Sequence, residues 1–474
     1  MAASAPQPLP RSANTVLAII VASYLMIVVD ISIVITGLPR IQAELGFSAA
    51  QLSWVTNAYT LAFGGLLLLG ARAGDILGRR RMFITGLSLF TLASVVIGLS
   101  QSATWLLAAR AVQGAGAAVL APSTLALLST YFAEGPARTR ALSMYAAAAG
   151  IGATLGLVLG GLFADLVSWR AGFFINLPIG VALMLAARKH IAETPTQVGR
   201  FDALGTASST LGMAALVYGL VRAAEGGWQD PSALAGLGGG ALMLAVFIGI
   251  ERRVGHPVLP LRLLDHCERA GAYAARMLFM AGAVGFWFFS TQFLQGVLQL
   301  RPLQAGLAFL PVTLPNFASA IAGPRLARRH GNDSLLLGGL LLGVLGLLWL
   351  GQADAHASYW MHVAPPMVLI GLGQGLLLGP LTAAGVAGVA QKDAGAASGL
   401  VNVAHQLGGA LGLGVLVFVF AAAAPATAHD ADTLAHRIAA VMDTGALFLA
   451  VALLVAWACI VLPRRRSHRQ ETLA

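Results

Sequence analysis

Two charged side chains, Asp30 and Arg110, each lie deep inside a long apolar stretch of the sequence. An ionised carboxylate in such surroundings is costly, so Asp30 must be protonated, paired or placed in a watery cavity. Counted inward from the outer ends of the helices that these stretches predict, both residues lie roughly 10 Å deep. Equal depth would allow the two side chains to pair.

This pair has two interpretations. It could be a static ion pair that holds two helices together. Alternatively, because burial disfavours the charged form of a carboxyl group, Asp30 could bind a proton, break the pair and change the preferred conformation. We favour proton coupling, since charge inside a membrane is functional by default. His405 is a third candidate, because a histidine titrates near neutral pH, with a hydrogen-bonded structural histidine as the alternative.

Polar and aromatic residues at helical spacing could line a substrate cavity between these groups. Gln113 shares a helical stripe with Arg110, and Asn402 and Gln406 share one with His405. Aromatic residues in such positions are also common packing elements. The predicted cavity residues are Trp54, Asn57, Gln113, Trp287, Gln292, Gln295, Asn402 and Gln406.

A short charged loop separates two apolar runs and reads GARAGDILGRRR, Gly70 to Arg81. Its glycines allow close helix approach and a tight turn. Asp75 and Arg79 are four residues apart, so they could pair, or Asp75 could cap a neighbouring helix. We predict a cytoplasmic gate here, and the arginines also fit a determinant of topology. The predicted gate residues are Gly70, Asp75, Gly78, Arg79 and Arg80.

The composition shows what must position these residues. Of 474 residues, 58% are apolar and 10% charged, and the mean hydropathy is +0.80, which excludes a soluble globular protein. We predict an all-α polytopic membrane protein with fourteen transmembrane helices, each of roughly 20 residues. The predicted spans lie near 15–37, 50–70, 81–100, 104–130, 138–164, 169–188, 202–222, 232–251, 269–293, 303–323, 333–352, 361–387, 394–422 and 439–462.

Basic residues are distributed unevenly between the loops. Loops on the side of Gly70–Arg81, with both termini, carry 22 of the 29 Lys and Arg residues, the opposite loops carry five, and two lie inside spans. We therefore expect a multi-pass protein of the cell (inner) membrane with both termini cytoplasmic. Met1–Asn14 lacks the features of a removable signal, so the first span should be kept. Arg276 is expected to snorkel to the cytoplasmic headgroups.

An internal repeat divides the chain. The segment GPRLARRHG, Gly323 to Gly331, repeats the glycine spacing and arginine content of the Gly70–Arg81 loop, although Arg328 stands where that loop has Asp75. The repeat predicts two pseudo-symmetric six-helix bundles with two helices inserted between them, the arrangement typical of a transporter with alternating access. The predicted units are an N-terminal cytoplasmic tail (1–14), a six-helix half (15–190), two inserted helices (201–251), a second six-helix half (269–462) and a C-terminal cytoplasmic tail (463–474).

These segments resemble the major facilitator superfamily, specifically its fourteen-span drug:proton antiporter branch. The resemblance rests on the Gly70–Arg81 loop and on four further segments in the family's order: Asp30–Gly46, Leu107–Ala118, Gly150–Gly161 and Trp169–Gly180. Three positions depart from the family pattern: Ile35 replaces an Asn, Leu157 a Pro, and His405 an Arg. The glycines of the fifth span suit close packing across which the two halves slide. These predicted packing residues are Gly152, Gly156, Gly160 and Gly161.

The resemblance implies a proton-coupled efflux transporter for amphipathic drugs or related organic compounds, with Asp30 and Arg110 as coupling residues and a monomer as the working unit. A facilitator or uptake carrier for a small metabolite is the alternative, which Ile35 and Leu157 keep open. We find no nucleophile, metal site or nucleotide-binding loop, so we expect neither an enzyme nor an ATP-driven pump. The expected partners are a small organic substrate, protons and the lipid bilayer, with no nucleic acid and no cofactor. With Asp30 as the one deep acid, monovalent cations or neutral apolar molecules are favoured over divalent cations.

Overall fold

The computed structural model describes residues 11–132, 135–194, 196, 202–254, 261–389, 394–424 and 430–464. Sixteen α-helices make up most of these residues, and single π-helical turns extend three of the spans. In chain order the helices are α1 (Arg11–Leu45), α2 (Ser53–Leu77), α3 (Arg79–Gly98), α4 (Ala103–Tyr131), α5 (Pro136–Leu166), α6 (Ala171–Phe174), α7 (Asn176–His190), α8 (Ala203–Gly226), α9 (Pro231–Glu251), α10 (Cys267–Gln292), α11 (Pro302–Leu307), α12 (Leu310–His330), α13 (Asn332–Leu350), α14 (Ala364–Gly385), α15 (Ala394–Ala422) and α16 (Ala431–Ala456).

Fourteen segments of the described chain are long and apolar enough to cross a membrane. Helices α6 and α7 form one of them, and α11 and α12 form another, so the predicted all-α fold with fourteen spans is confirmed. The first and last spans are longer than predicted. Helix α1 continues to Leu45, and α16 begins at Ala431, where Asp430 accepts a hydrogen bond from Thr433 N at 3.3 Å. Apolar patterning detects only the part of a helix in hydrocarbon, whereas caps fix its ends. The predicted tails, 1–14 and 463–474, lie mostly outside the described residues.

A sharp turn at Gly78 joins α2 to α3. Gly78 has φ +103°, and a Cβ atom there would lie 2.6 Å from the carboxylate of Glu193. A positive φ and such a close neighbour both require glycine. We call the side of the membrane with this turn the arginine-rich side, and the other the opposite side.

The two halves of the chain repeat one packing pattern. In the first half α1 packs on α5, α2 and α3 pack on α4, and α3 also contacts α7. In the second half α10 packs on α15, α12 and α13 pack on α14, and α13 also contacts α16. These pairs correspond one to one when span 1 is aligned with span 9. The packing therefore has the same pseudo-symmetry as the sequence repeat.

Helices α8 and α9 pack on each other and stand beside both halves, because α8 contacts α2 and α15. Gly65 of α2 approaches Thr210 so closely that a Cβ atom would lie 2.4 Å from its hydroxyl oxygen. At the other end of α8, the Trp228 ring lies 4.7 Å from that of Phe418 in α15. The inserted pair thus borders the α2–α15 contact along its length.

Most glycines of α5 pack within one half rather than across the two. A Cβ atom at Gly156 would lie 2.6 Å from Val29 O, and one at Gly160 would lie 2.5 Å from Ile33 O, both in α1. Gly152 faces α1 as well. Only Gly161 of the predicted set meets the second half, where a Cβ atom would lie 2.4 Å from Pro302 O. The expected sliding surface is therefore wrong for three of its four glycines, because helix rotation, not spacing, decides which neighbour they face.

Candidate functional site

Asp30 lies at the centre of a buried polar cluster in the first half. Its side chain is fully buried, and Arg110 Nη1 donates to Asp30 Oδ2 at 3.2 Å. Two neutral amides complete the carboxylate's surroundings: Gln113 Nε2 donates to Oδ1 at 2.9 Å, and Asn176 Nδ2 donates to the same oxygen at 2.6 Å. Helices α4 and α7 thus place three donors around the one carboxylate of α1.

Arg110 is held as firmly as its partner. Its Nε donates to Val55 O in α2 at 3.0 Å, and its Nη1 also donates to Gln113 Oε1 at 2.6 Å. The guanidinium lies 4.4 Å from the centre of the Tyr59 ring, a cation–π distance. A buried cation with this many partners is held in one position.

Ser94 and Asn176 belong to the cluster and were missed by sequence reasoning. Ser94 Oγ lies 2.8 Å from Gln113 Nε2 and 3.2 Å from Asn176 Nδ2, so it accepts from both amides. Asn176 lies within the Trp169–Gly180 segment, and its polarity in an apolar run was the available signal. Which helix it would face could not be read from the chain.

Asp30 and Arg110 carry the two opposite charges of this cluster. The ionised Asp30 accepts all three of these hydrogen bonds, and its negative charge balances that of Arg110. Protonation would remove the carboxylate's charge and convert one oxygen into a donor. Arg110 would then lose its counter-charge in a buried site, an unfavourable state that a rearrangement of the helices can relieve.

Arg276 and His405 meet in the second half, contrary to the expectation that Arg276 would snorkel to lipid headgroups. Arg276 is only 8% exposed. Its Nε donates to His405 Nδ1 at 3.1 Å, and its Nη1 donates to Thr382 Oγ1 at 3.1 Å. The side chain points between α14 and α15 because those helices offer acceptors. Depth along one helix predicted the wrong direction.

The eight predicted cavity residues do not share one lining. Gln113 belongs to the Asp30 cluster, whereas Gln406 packs at the α2–α15 contact, with its Cβ atom 2.7 Å from the position of a Cβ on Gly64. Asn402 is exposed and donates to Ser398 O of its own helix at 3.2 Å. Asn57 is fully buried, and its side-chain amide has no hydrogen-bond partner among the described residues.

The remaining predicted cavity residues lie toward the opposite side. Trp54 is half-buried against the apolar core, and Trp287 packs on Phe309 with ring centroids 5.2 Å apart. Gln295 Nε2 donates across the two halves to Thr36 O at 3.0 Å. Gln292 and Gln295 line a cavity of about 510 Å³ that opens between α1, α10 and α16. Helical spacing correctly predicted which of these residues share a face of one helix, but it did not show that residues on different helices line different places.

The predicted gate residues form a contact network at the arginine-rich side. Arg79 Nη2 lies 3.1 Å from Asp75 Oδ1, and Arg79 Nη1 donates to Thr130 Oγ1 at 2.7 Å and to Ala126 O at 3.2 Å in α4. The expectation that Asp75 would cap a neighbouring helix is therefore wrong, since Arg79 makes that contact. A carbonyl near the C-terminal end of a helix requires a donor, which a carboxylate cannot supply. Gly70 packs on α4 beside Ala118.

Glu193, which sequence reasoning missed, caps the start of α3. Its Oε1 accepts from Arg80 N and its Oε2 from Arg81 N, each at 3.0 Å. Thr194 Oγ1 accepts from Arg79 N at 3.2 Å, and Arg80 Nη2 donates to Arg188 O at 2.8 Å. A carboxylate is favourable at a helix N-terminus. These contacts tie the α2–α3 turn to the end of α7.

The second half carries a different ion-pair network at the same side. Arg464 lies 2.6 Å from Asp333 in the first turn of α13, and it also pairs with Glu268 in the first turn of α10. The segment Gly323–Gly331, which forms the end of α12, lacks a counterpart of Asp75, and here carboxylates from two helix starts surround one arginine instead.

A separate set of contacts lies outside the membrane, where α8 is connected to α9. Hydrogen bonds from the side chain and backbone of Ser232 hold the pKa of Asp230, the N-cap of α9, below its usual value.

An ion pair joins the halves at the opposite side. Arg301, just before α11, lies 3.3 Å from Asp165 near the end of α5. Arg170 pairs with Glu44 of α1, and Trp169 Nε1 donates to Glu44 Oε2 at 2.6 Å. Within the part of the chain that the structure describes, no group of three or more His, Cys, Asp or Glu residues could hold a metal ion.

Comparisons with known proteins agree with this architecture. Residues 20–413 match the family model described as Major Facilitator Superfamily. The chain is 39% identical over 448 residues to the cephamycin export protein CmcT of Amycolatopsis lactamdurans, covering 94% of this chain and 92% of that protein. It is 38% identical over 470 residues to the puromycin resistance protein pur8 of Streptomyces alboniger, covering 96% and 92%. In fold it is similar to an inward-facing bacterial homologue of the human lysosomal transporter Spinster, with a TM-score of 0.70 at 15% identity over 95% of this chain and 97% of that one.

Proposed function

Because this chain belongs to the major facilitator superfamily, we propose that it exports amphipathic, antibiotic-like organic compounds in exchange for protons. The names of its relatives, a cephamycin exporter and a puromycin resistance protein, support the class of cargo. The buried Asp30–Arg110 pair is the one observation on which the proposal of proton coupling rests. The proton gradient is the energy source, no cofactor is needed, and one chain is the working unit.

The cycle uses the charge balance of the Asp30 cluster. With Asp30 ionised, Arg110 and the amides of Gln113 and Asn176 hold α1, α4 and α7 together. A proton that enters from outside neutralises Asp30 and leaves Arg110 without a counter-charge. Cargo moves outward while Asp30 is ionised, and the change of charge then favours rocking of one half against the other, which turns the emptied, protonated site back to the cytoplasm. Release of the proton to the cytoplasm restores the pair.

Proton movement in everted vesicles or proteoliposomes tests this proposal. A pH gradient is imposed, and a cephamycin, puromycin, lipophilic cations and neutral metabolites are added in turn. Cargo-dependent dissipation of the gradient is expected in the wild type and should disappear in Asp30→Asn. Asp443→Asn is the matched control, since Asp443 is another carboxylate in a span and lies outside the cluster. Cargo crossing at one rate with and without the gradient, unchanged in Asp30→Asn, would instead identify a facilitator with a static ion pair.

We further propose that the arginine-rich side faces the cytoplasm, which places both chain ends there. The bias of 22 basic residues against five in the loops supports this orientation. Cys267 offers a native reporter, because it is exposed at the start of α10 on that side. In a Cys459→Ser background, a membrane-impermeant maleimide should label Cys267 in everted vesicles and spare it in right-side-out vesicles. The reverse pattern would contradict the orientation.

A further inference from the structure

The geometry points to Arg276, with His405, as a binding site for an anionic group, a carboxylate in the first instance, on the exported compound. This inference rests on the proposed export function and names the charge of its cargo. It departs from the sequence-based preference for monovalent cations or neutral molecules, which rested on the scarcity of deep carboxylates. Arg276 was expected at the headgroups and was not considered as part of the site.

Arg276 is a buried cation without a counter-charge among the described residues of its own half. It is 8% exposed, and its partners are His405 Nδ1, Thr382 Oγ1 and, at 3.5 Å, Leu378 O, all of them neutral acceptors. Among the described residues no carboxylate forms an ion pair with it. Arg110, the other arginine that is buried among the described residues, has Asp30 at 3.2 Å. Arg276 therefore lacks the kind of carboxylate partner that Asp30 provides to Arg110.

A buried charge without a partner is unfavourable unless something else offsets it. Leucine or glutamine could fill the same space without that cost. A cargo that supplies an anionic group would provide the missing charge each time it binds. The free-energy cost of leaving Arg276 unpaired thus favours the binding of acidic compounds over neutral ones.

Two hydrogen-bond donors at the site remain available to such a group. Arg276 uses its Nε and Nη1 atoms on His405, Thr382 and Leu378, and Nη2 has no partner within the described part of the chain. Because His405 Nδ1 accepts a hydrogen bond, the proton of a neutral His405 lies on Nε2. That N–H also has no described partner. A guanidinium and an imidazole N–H together suit a carboxylate.

The site faces the boundary between the two halves, where cargo must bind in alternating access. Helix α10, which carries Arg276, contacts α1. Tyr24 of α1 is close enough to Arg276 for the two side chains to interact electrostatically. Its ring stacks on that of Tyr145 in α5, with centroids 3.9 Å apart and planes 11° apart. A cation in one half thus lies near a flat aromatic surface in the other, a combination that fits an amphipathic acid.

Ligand-induced stabilisation of the purified protein tests the site without requiring transport. The probes are 1-naphthoate and 1-naphthamide, which share a ring system and differ in charge. We expect 1-naphthoate to raise the Tm of the wild type by several degrees and 1-naphthamide to have a much smaller effect. The response should vanish in Arg276→Gln, persist in part in Arg276→Lys, and be unchanged in Arg329→Gln, which removes an exposed arginine at the end of α12.

Three results would overturn the inference: equal stabilisation by both probes, an undiminished naphthoate response in Arg276→Gln, or no naphthoate response at millimolar concentration. Should Arg276→Gln fail to fold, Arg276→Lys and the two probes on the wild type still decide the question. Failure of the export proposal is distinguishable, because it appears as gradient-independent transport in the Asp30 experiment. Naphthoate binding that depends on Arg276 would stand even then.

Discussion

Asp165 and Arg301 lie 3.3 Å apart and join the two halves at the opposite side of the membrane. The Asp165 side chain is 7% exposed and that of Arg301 is 67% exposed, so water competes for one partner only. Next to this pair, Gly161 contacts Pro302. A polar contact and a close-packed contact thus join the two halves side by side at the opposite side.

Breaking the ion pair should favour opening at the opposite side. In a variant without Cys267 and Cys459, Ala43→Cys places a thiol in the cavity of about 510 Å³. We expect Asp165→Asn to speed its labelling by an impermeant maleimide by up to about fivefold, since partly exposed ion pairs contribute about 0–1 kcal/mol. Asp432→Asn is the control on the same side. Equal labelling rates in all three proteins would show that the pair does not hold this side closed.

Alanine at Gly161 and at Gly156 should have different effects. Gly161→Ala pushes against Pro302 of the other half, so we expect slower transport with little change in the stability of the first half. Gly156→Ala pushes against Val29 within that half, so thermal stability should fall. Gly238→Ala, where a Cβ atom meets nothing within 4 Å, is the control for both. Transport rate and Tm measured on all three variants separate the effects, and an identical profile for Gly161→Ala and Gly156→Ala would contradict them.

Removing the amide of Asn176 should weaken the Asp30 cluster. Asn176→Ala deletes the donor 2.6 Å from Asp30 and the one 3.2 Å from Ser94. Leaving a buried carboxylate short of a donor costs about 1–3 kcal/mol, so we expect lower thermal stability together with loss of proton-driven transport. Asn402→Ala is the matched control, because Asn402 is exposed and bonds only to its own helix. Retention of full coupling in Asn176→Ala would exclude Asn176 from the proton site.

Glu193 should matter for stability more than its exposed position suggests. Glu193→Ala removes the acceptors for Arg80 N and Arg81 N, and loss of an N-terminal cap costs about 1 kcal/mol. Glu193→Gln keeps one acceptor oxygen and should recover part of that loss. Thermal unfolding in detergent measures both. A Tm of Glu193→Ala equal to that of the wild type would show that the cap contributes nothing.

His405 should position Arg276 through the acceptor on its ring. His405→Leu removes the partner of Arg276 Nε, whereas His405→Gln retains an oxygen acceptor. We expect about a tenfold loss of naphthoate affinity in His405→Leu, the size of effect that one hydrogen bond to a charged group produces. Partial recovery in His405→Gln distinguishes positioning from packing. Equal affinity in the two variants would indicate that the histidine only fills space.

Much of the fold was predictable because hydrocarbon imposes a simple rule on the sequence. Apolar length gave fourteen spans, and helical depth brought Asp30 and Arg110 to the same level. Ser94 and Asn176 could not be joined to them, since they lie on other helices whose rotation depends on packing. Because the rotation of α10 was also unknown, the prediction placed Arg276 toward lipid. In the structure Arg276 points inward and donates hydrogen bonds to His405 and Thr382. Spacing along one helix shows which residues share a face, but the packing of the neighbouring helices decides what that face contacts.

The position of α8 beside α2 and α15 has a consequence for how cargo reaches the protein from the bilayer. Thr210 and Trp228 follow the seam between the two halves on that flank, so acyl chains there meet α8 and α9 first. On the other flank α5 meets α11 and α12 directly. A compound in the membrane that approaches α5 meets the contact between the two halves directly, whereas one that approaches α2 meets the inserted pair first. The two extra spans therefore make the two flanks of a symmetric pair of halves unequal toward lipid.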